Sequence, residues 1–591
     1  TSDDFFTMFI QTELPEVRIA RIPVLSQEEF GLYLTRIEEN YTTLHTGWWR
    51  NSVLLMADDE NNNSTDDEYY FTEDIEEAVQ LIGTNKLVKR IYATDYERDA
   101  FNNKPAVRDT LINTLNNGVM LWYYMGHGHA DKLGEENFFN LASDVKRLAN
   151  SNRLPLFIAA SCNVGQFDSN DFDCLGRNLL FQSEGGVIAS ITASRICLGA
   201  ESHIFAMKVM SELVNNEVSP MEAFYRAKTT SLYTYNSIKF NYFGDPYLNW
   251  RFPKLINPLV VTEDSKPIPS FWKRQMIQFQ GDTGDSINIE TAVILAFDND
   301  ASGTLPNSER YSYAGKVIYK GTSPVSDNSF SSGFTIPDDA KAGDKARIIA
   351  YLYDETSRKD YISSLNPIKI YNQTLYSNDT TSPKITILLD SPEFQSGDIV
   401  SCNPSLIIKI EDESGINITN SSGHPILMSL DNGVTVSNIT DEFIYEESSS
   451  TVVVYSSTLT ELKPGIHSLQ LIAYDNINNL GIETVNFKVT TSEDLHLTDM
   501  FPYPNPMPKD GGYFTAVVNK PVDVSLKIFT LSGRKIRTLQ GSGSHYLQIK
   551  WDGLDSNGDE IAKGNYFYNL TAKSLDGTES VKKLGKLIIT D

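Results

Sequence analysis

The apolar periodicity of this chain changes once, near residue 252, and that change dictates two architectures in series. Before it, helical and strand patterns alternate, as in an α/β domain with a mostly parallel sheet. After it the helical period disappears, and short alternating runs are separated by Gly, Pro, Asn and Asp, the pattern of antiparallel sandwiches. At 591 residues the chain exceeds what one core organises, and about 150 residues per domain gives roughly four. The expectation is a multidomain protein: an α/β domain over 1–252, then β-sandwich modules over 253–372, 373–492 and 493–591, with boundaries near Asn372 and Ser492.

Within the first part, Ser26-Gln27-Glu28-Glu29 reads as a capping box, followed by Phe30, Tyr33, Leu34, Ile37 and Tyr41 on one helical face. Residues 53–57 form a short apolar strand ending in Asp58-Asp59, and 61–67 read as a polar surface loop. Val107, Leu111 and Leu115 mark a helix closed by Gly118. The next strand carries Met120 to Tyr123, and a helix-like link leads from it to a strand over 154–159. A helix around Leu175 to Phe181 and a strand over 186–191 follow; Ser219-Pro220-Met221-Glu222 then starts another helix, with Pro at its first position.

Two strings in this part carry chemistry. Tyr124-Met125-Gly126-His127-Gly128 and Ala160-Ser161-Cys162-Asn163 each follow an apolar run, which places a reactive side chain at the carboxyl end of a buried strand. Open α/β sheets bind ligands beyond those ends, where the strand order reverses. If the two strands are neighbours, His127 and Cys162 face one crevice. Cys162 would then attack a carbonyl as thiolate, and protonated His127 would hand a proton to the leaving amine. The amides of Gly128 and Cys162 are candidate oxyanion donors. A free Cys is often simply buried, and a Gly-flanked His is often only a turn; the pairing at two strand ends is what favours a cysteine nucleophile with its acid/base partner. His129, beyond the second glycine, reads as a rim residue.

Composition narrows the alternatives. A formal charge of −27 argues against nucleic acid as a partner, because phosphate binding needs clustered Lys and Arg. No run approaches the length of a spanning helix, so membrane association is expected to run through a partner or an anchor outside this chain. The chain opens on Thr1 without a signal segment and reads as the remainder of a longer precursor. Its four cysteines, Cys162, Cys174, Cys197 and Cys402, are too few for a disulfide scaffold and lack zinc spacing. A bridge between Cys174 and Cys197 stays open, and no metal or cofactor is expected. Asp298-Asn299-Asp300-Ala301-Ser302-Gly303 with Glu309 mimics a calcium loop but follows a strand, so it reads as a plain surface turn. Asp58, Asp59, Asp66, Asp67 and Glu68 read as a solvated acidic loop. Asp95 or Glu97 is a candidate to orient His127, and Arg195 to meet a substrate carboxylate or pair with a surface acid.

The strings around His127 and Cys162, the latter extended by Leu154-Pro155-Leu156-Phe157 before it and Val164-Gly165-Gln166-Phe167-Asp168 after it, together with Phe243-Gly244-Asp245-Pro246-Tyr247-Leu248, resemble the gingipain family of cysteine peptidases, whose fold is caspase-like. Three ordered motifs carry the match. By that resemblance His127 matches the family's catalytic histidine and Cys162 its nucleophile. Arg21-Ile22-Pro23-Val24 also resembles the family pattern, though the family domain usually begins well before it, so part of a smaller N-terminal subdomain is expected to be missing. Asp412-Glu413-Ser414-Gly415-Ile416-Asn417 and 473–479 resemble a sandwich of the type IX secretion sortases within this family. Trp551-Asp552-Gly553 and Gly564-Asn565-Tyr566-Phe567-Tyr568 resemble the immunoglobulin-like module of flagellar hook-cap proteins, which also closes those sortases.

The resemblance implies a cell-surface transpeptidase that removes the C-terminal sorting domain of secreted cargo and joins the new carboxyl end to anionic lipopolysaccharide. It further implies an outer-membrane β-barrel partner that holds the enzyme on the extracellular face, with the sandwiches as spacers and docking surfaces. The rivals are a secreted endopeptidase of the same fold that only hydrolyses, and an inactive adhesin whose sandwiches bind a partner.

Overall fold

In the computed structural model six strands of the first part pair into one sheet. They are β1 Ser52–Ala57, β2 Leu87–Tyr92, β3 Leu121–Met125, β4 Leu156–Ala160, β5 Ala189–Ala193 and β6 Phe240–Phe243. The structure describes residues 2–590 apart from 9–13, 44, 60–70, 170–172, 231–233, 263–268, 285–288, 306, 355, 461, 490–494, 496, 544–545 and 576. The loop expected at 61–67, Asp66, Asp67, Glu68 and the Ser492 boundary therefore lie outside the described residues. Strand order is β2-β1-β3-β4-β5-β6. All neighbours are parallel except β5 and β6. From β1 the chain first steps one way to β2, then continues on the other side from β3, so the order reverses between β1 and β3.

Both faces of this sheet are covered, which explains why its strands read as unbroken apolar runs. Val53, Leu55 and Ala57 of β1, Leu121, Tyr123 and Met125 of β3, and Leu156, Ile158 and Ala160 of β4 point to one face. There they meet α2 Phe71–Ile82, α4 Gly199–Asn215 and α5 Pro220–Lys228. The alternate residues Leu54, Met56, Trp122, Tyr124, Phe157 and Ala159 meet α3 Pro105–Asn117 on the other face. Trp122 stacks on Phe157 with ring centroids 4.1 Å apart. Complete burial of such side chains contributes about 1.5–3 kcal/mol each, and it fixes the strand ends that carry the site.

Helix α1 Gln27–Thr42 starts as the capping box requires, Ser26 Oγ accepting from Glu29 N–H. Its expected apolar face is only partly used. Tyr33 is buried, whereas Phe30 and Leu34 are exposed. A buried cation anchors the helix instead: Arg36 donates to the carbonyls of Val187 at 3.3 Å and Gly185 at 2.8 Å, so the buried guanidinium and these carbonyls satisfy one another. The link after β3, expected to be helix-like, contains no α-helix: its helical content is one 3-10 turn, Val145–Arg147, preceded by a small hairpin. Lys132–Leu133 pairs with Phe139–Asn140 as a small hairpin, because His129 N–H and Gly134 N–H bond to Lys132 and His127 carbonyls and so fold the chain back on the Gly-His-Gly turn.

Beyond residue 252 the described chain is β-rich. A 10-stranded sheet runs from Ser270–Lys273 at one edge to Lys384–Leu389 at the other. It passes from Val317–Pro324 to Ile444–Tyr445 through the pair Gly321 and Tyr445, and one apolar core continues from Leu259 to Val489. The C-terminal part stacks a three-stranded sheet, Leu497–Tyr503 with Gly512–Val518 and Tyr546–Trp551, on a four-stranded one, around a core of its own.

The segment expected as a plain surface turn at 298–309 is a docked arm. Asp298 and Asn299 are buried, and Asp298 accepts from Lys316 N–H at 2.6 Å and Lys341 N–H at 2.9 Å. The hairpin Ala301–Thr304 with Arg310–Tyr313 then carries Leu305, 5% exposed, into the α2 side of the peptidase core. A tertiary contact of this kind leaves no mark in local sequence pattern. Arg50 and Asp360, each with a side chain 7% exposed, form an ion pair across the same junction.

Candidate active site

Strands β3 and β4 pair with Met125 opposite Ala160, so Gly126 and Ser161 leave the sheet at one level. His127 and Cys162 occupy matching positions just beyond. The two turns touch: a Cβ placed on Gly128 would lie 3.3 Å from the Cys162 carbonyl oxygen and 3.0 Å from Val164 Cγ2. Only glycine permits that approach. Gly126 has φ +156° and packs against Asp58, with the Tyr124 hydroxyl 2.6 Å from where a Cβ would sit.

The peptide of His127 is clamped from both ends. Its N–H donates to Asp58 Oδ2 at 2.8 Å, and its carbonyl accepts from Tyr124 Oη–H at 2.6 Å. The half-buried imidazole meets the Phe71 ring edge-on, centroids 5.4 Å apart and planes at 88°. On the other turn Asn163 takes φ +58°, a left-handed conformation that Asn tolerates. Its N–H donates to Arg195 carbonyl at 3.4 Å, and Gly165 N–H to Ala193 carbonyl at 2.9 Å, tying the Cys162 turn to the end of β5. Among the described residues the N–H groups of Gly128 and Cys162 have no hydrogen-bond acceptor, so both remain available to an oxyanion.

Cys162 Sγ lies against Cys197. It accepts from Cys197 N–H at 3.4 Å, and the two sulfurs are 4.0 Å apart. The Cys197 thiol, its N–H, and smaller electrostatic contributions from His127 and Lys239 outweigh burial and lower the Cys162 pKa to about 6. A thiol held there is largely thiolate at neutral pH, which is the nucleophilic form. The Cys197 thiol is pushed upward by its bond to Cys162 and by burial. An open crevice alongside is lined by Asn163, Gln166, Arg195, Ile196, Tyr235 and Lys239. Lys239 Nζ donates to the Ile196 carbonyl at 2.7 Å and lies 4.5 Å from the Tyr235 ring centroid.

Beneath the His127 turn Asp58 and Asp59 are buried, not solvated. Packing forces this: Asp58 ends β1 where the strand order reverses, and its oxygens serve the neighbouring turn. Asp59 pairs with Lys104 at 2.8 Å and Arg98 at 2.7 Å, and Arg98 also reaches Glu136 at 2.8 Å. Burial, with Glu136 and Asp59 nearby, raises the Asp58 pKa well above the usual carboxylate range. The carboxylates of Asp58, Asp59 and Glu136 lie within 4.8 Å of one another; Lys104 and Arg98 already offset Asp59 and Glu136, and Asp58 accepts from the His127 and Asp59 N–H groups. A second such group, Asp379, Asp412 and Asp475, builds turns: Asp412 accepts from Ser414 N–H at 2.8 Å and Asp475 from Asn479 N–H at 2.8 Å.

The remaining expectations divide cleanly. His129 is exposed at the rim. Neither Asp95 nor Glu97 bonds to His127 among the described residues; Asp58 and Tyr124 hold its backbone instead. Cys174 and Cys197 are free thiols rather than a bridge: Cys197 lies against Cys162, and Cys174 is buried at the start of the short helix Leu175–Asn178, where burial pushes its thiol up to about 12. Arg195 pairs with Asp168 through two bonds of 2.8 and 2.6 Å. Asp58 and Cys197 are the neighbours of His127 and Cys162 that the sequence reading does not name as their partners. Each follows an apolar strand, β1 and β5, so the strand-end rule that selected His127 and Cys162 also points to them.

The family model described as peptidase family C25 matches residues 1–251. No curated protein matches the chain. Among solved structures, dimeric latent PorU from Porphyromonas gingivalis aligns at 22% identity over 63% of this chain and 37% of that chain, with a TM-score of 0.29. A complex of Porphyromonas gingivalis RgpB pro- and mature domains aligns at 18% identity over 63% and 81% respectively, with a TM-score of 0.36. This chain thus spans 37% of the length of the PorU chain it matches. Residues 1–251, which contain His127 and Cys162, belong to peptidase family C25, a family of cysteine peptidases.

Proposed function

We propose that the protein is a cysteine transpeptidase of the cell surface, acting through a Cys162–His127 dyad. The observation that carries the acyl-transfer reading is the convergence, beyond the carboxyl ends of two adjacent strands, of a thiol with its pKa lowered to about 6, an imidazole on the abutting turn, and, among the described residues, two N–H groups without acceptors. In this reading the Cys162 thiolate adds to the scissile carbonyl while Gly128 and Cys162 N–H groups stabilise the oxyanion. The tetrahedral adduct collapses, His127 protonates the departing amine, and a thioester remains on Cys162. An incoming amine, deprotonated by His127, then attacks the thioester, restoring thiolate and forming a new amide.

The substrate is cargo carrying a C-terminal sorting domain, and the acceptor an amine on anionic lipopolysaccharide. Support comes from the sequence resemblance of the segments at 412–417, 473–479 and 551–568 to type IX sortases, which extends the likeness beyond the peptidase domain. Among the described residues no helix is long and apolar enough to cross a membrane, and we assign surface retention to an outer-membrane β-barrel partner.

The test is product analysis. The protein is incubated with such cargo and an amine acceptor, and the cargo's new C-terminus is weighed. An acceptor adduct supports transpeptidation, and free acid alone assigns a hydrolytic endopeptidase. An electrophilic peptide that fails to label Cys162 in a folded preparation would remove the enzymatic reading and leave the adhesin.

A further inference from the structure

The acyl-transfer scheme uses one sulfur, yet two stand at the site. Cys197 lies near the end of the segment joining β5 to α4, two residues before Gly199, with its thiol 4.0 Å from Cys162 Sγ and its N–H 3.4 Å from the same atom. We propose that Cys162 and Cys197 form a redox modification site that takes a hydroperoxide as oxidant and closes to a disulfide, with Cys162 as the attacking sulfur and Cys197 as the resolving one.

The geometry meets the requirements. A disulfide needs sulfurs about 2.05 Å apart, so closure asks for roughly 2 Å of travel, shared between two side-chain rotations and a loop shift. Ile196 and Leu198 on either side of Cys197 are 71% and 63% exposed, so no side-chain packing fixes the segment; its backbone is held at the Ile196 carbonyl by Lys239 at 2.7 Å and at the Leu198 N–H by Asn236 at 2.8 Å, and the travel falls mainly to the two side-chain rotations. Cys162 is only partly buried and lies beside an open crevice. The lowered pKa of Cys162 supplies the thiolate that attacks peroxides. Cys174 does not compete, being buried with its thiol pushed up to about 12.

The chemistry balances in two steps. The Cys162 thiolate attacks one oxygen of the hydroperoxide; the O–O bond breaks, a sulfenic acid forms, and hydroxide or alkoxide leaves. The Cys197 sulfur then attacks the sulfenic sulfur, the S–O bond breaks, its thiol proton leaves with the hydroxyl as water, and the S–S bond forms. One peroxide is reduced and the thiol pair oxidised. A thiol reductant reverses the change. Without a resolving thiol, sulfenic acid proceeds to sulfinic acid, which such reductants do not recover.

The test treats the full chain with hydrogen peroxide, blocks free thiols and maps the peptides. The expected result is a Cys162–Cys197 linked peptide, an intact mass lower by one pair of hydrogens, and loss of electrophile labelling that dithiothreitol restores. In Cys197→Ser the same treatment should give sulfinic acid at Cys162 and a loss that dithiothreitol does not restore. Sulfinic acid at Cys162 in the unsubstituted chain, with Cys197 still free, overturns the proposal. The role of Cys162 in turnover rests on the reading above and is separable from this one. A disulfide that forms without affecting turnover removes the nucleophile and keeps the redox site. Turnover that dies in Cys162→Ala with no disulfide ever formed does the reverse.

Discussion

Gly128→Ala tests whether the contact between the two turns sets the catalytic geometry. The added methyl would sit 3.0 Å from Val164 Cγ2, 3.3 Å from the Cys162 carbonyl oxygen and closer still to Ser161 Oγ. Val164 is 0% and Ser161 2% exposed, so neither side chain can swing into solvent. Carbon contacts are comfortable at about 3.5–4.0 Å, so relieving the Val164 and Cys162 contacts takes several tenths of an ångström, and relieving the closer Ser161 contact takes roughly 1 Å. Overpacking of this kind costs about 1–3 kcal/mol of stability. A displacement approaching 1 Å at reacting groups costs on the order of 100-fold in rate. We therefore expect a folded variant whose kcat/KM on a fluorogenic peptide falls by about 100-fold, with alkylation of Cys162 nearly unchanged because Cys197 stays in place. Ser161→Ala in the same chain removes the nearest clashing atom and should recover part of the loss as a positive coupling in a double-mutant cycle. A folded Gly128→Ala protein with unsubstituted kcat/KM would refute the reasoning.

Iodoacetamide labelling of Cys162 followed against pH should rise through a midpoint near pH 6 and level off above it, since the thiolate is lost only as pH falls through that value. A midpoint near 8.5, that of a free thiol, would mean that Cys197 does not poise the sulfur. Asp360→Ala should destabilise the chain by about 3–5 kcal/mol in urea unfolding, because it leaves the buried Arg50 guanidinium without its partner; Arg50→Met with Asp360→Leu should recover most of that, and an unaffected single variant would show that the pair contributes nothing at the junction.

What was legible in the sequence was whatever depends on period and punctuation. Strands buried on both faces read as apolar runs, and helix starts read from Ser26 and Ser219, whose hydroxyls accept from Glu29 and Glu222 N–H groups. Glycines flanking a histidine marked the turn that must approach Cys162. Long-range polar partnerships were not legible, since they join residues that no local rule connects. Arg36 anchors α1 to carbonyls of 185–187, and the helix therefore exposes Phe30 and Leu34, which periodicity alone assigns to the core. Asp58 looked like the edge of an acidic loop because its neighbours in sequence are acidic, while its neighbours in space are the His127 peptide and the Tyr124 hydroxyl.

The same blindness hid how the β-rich portion bears on the site. Spacers and docking surfaces need no contact with the peptidase core, yet the 301–313 hairpin enters it. Leu305 is buried there, Tyr311 meets Tyr92 with centroids 5.4 Å apart, Arg90 donates to the Ser312 carbonyl at 3.0 Å, and Asn307 bonds to Glu73. Glu73 lies in the first turn of α2, two residues after Phe71, and Phe71 is the ring against which the His127 imidazole rests. One helical turn thus carries both the wall of the imidazole and the grip of the hairpin. The peptide of His127 is fixed from below by Asp58 and Tyr124, whereas its ring is bounded by a helix end that the following domain holds in place. A chain cut at residue 252 would keep the first restraint and lose the second, so the β-rich part belongs to the structure that positions the His127 ring.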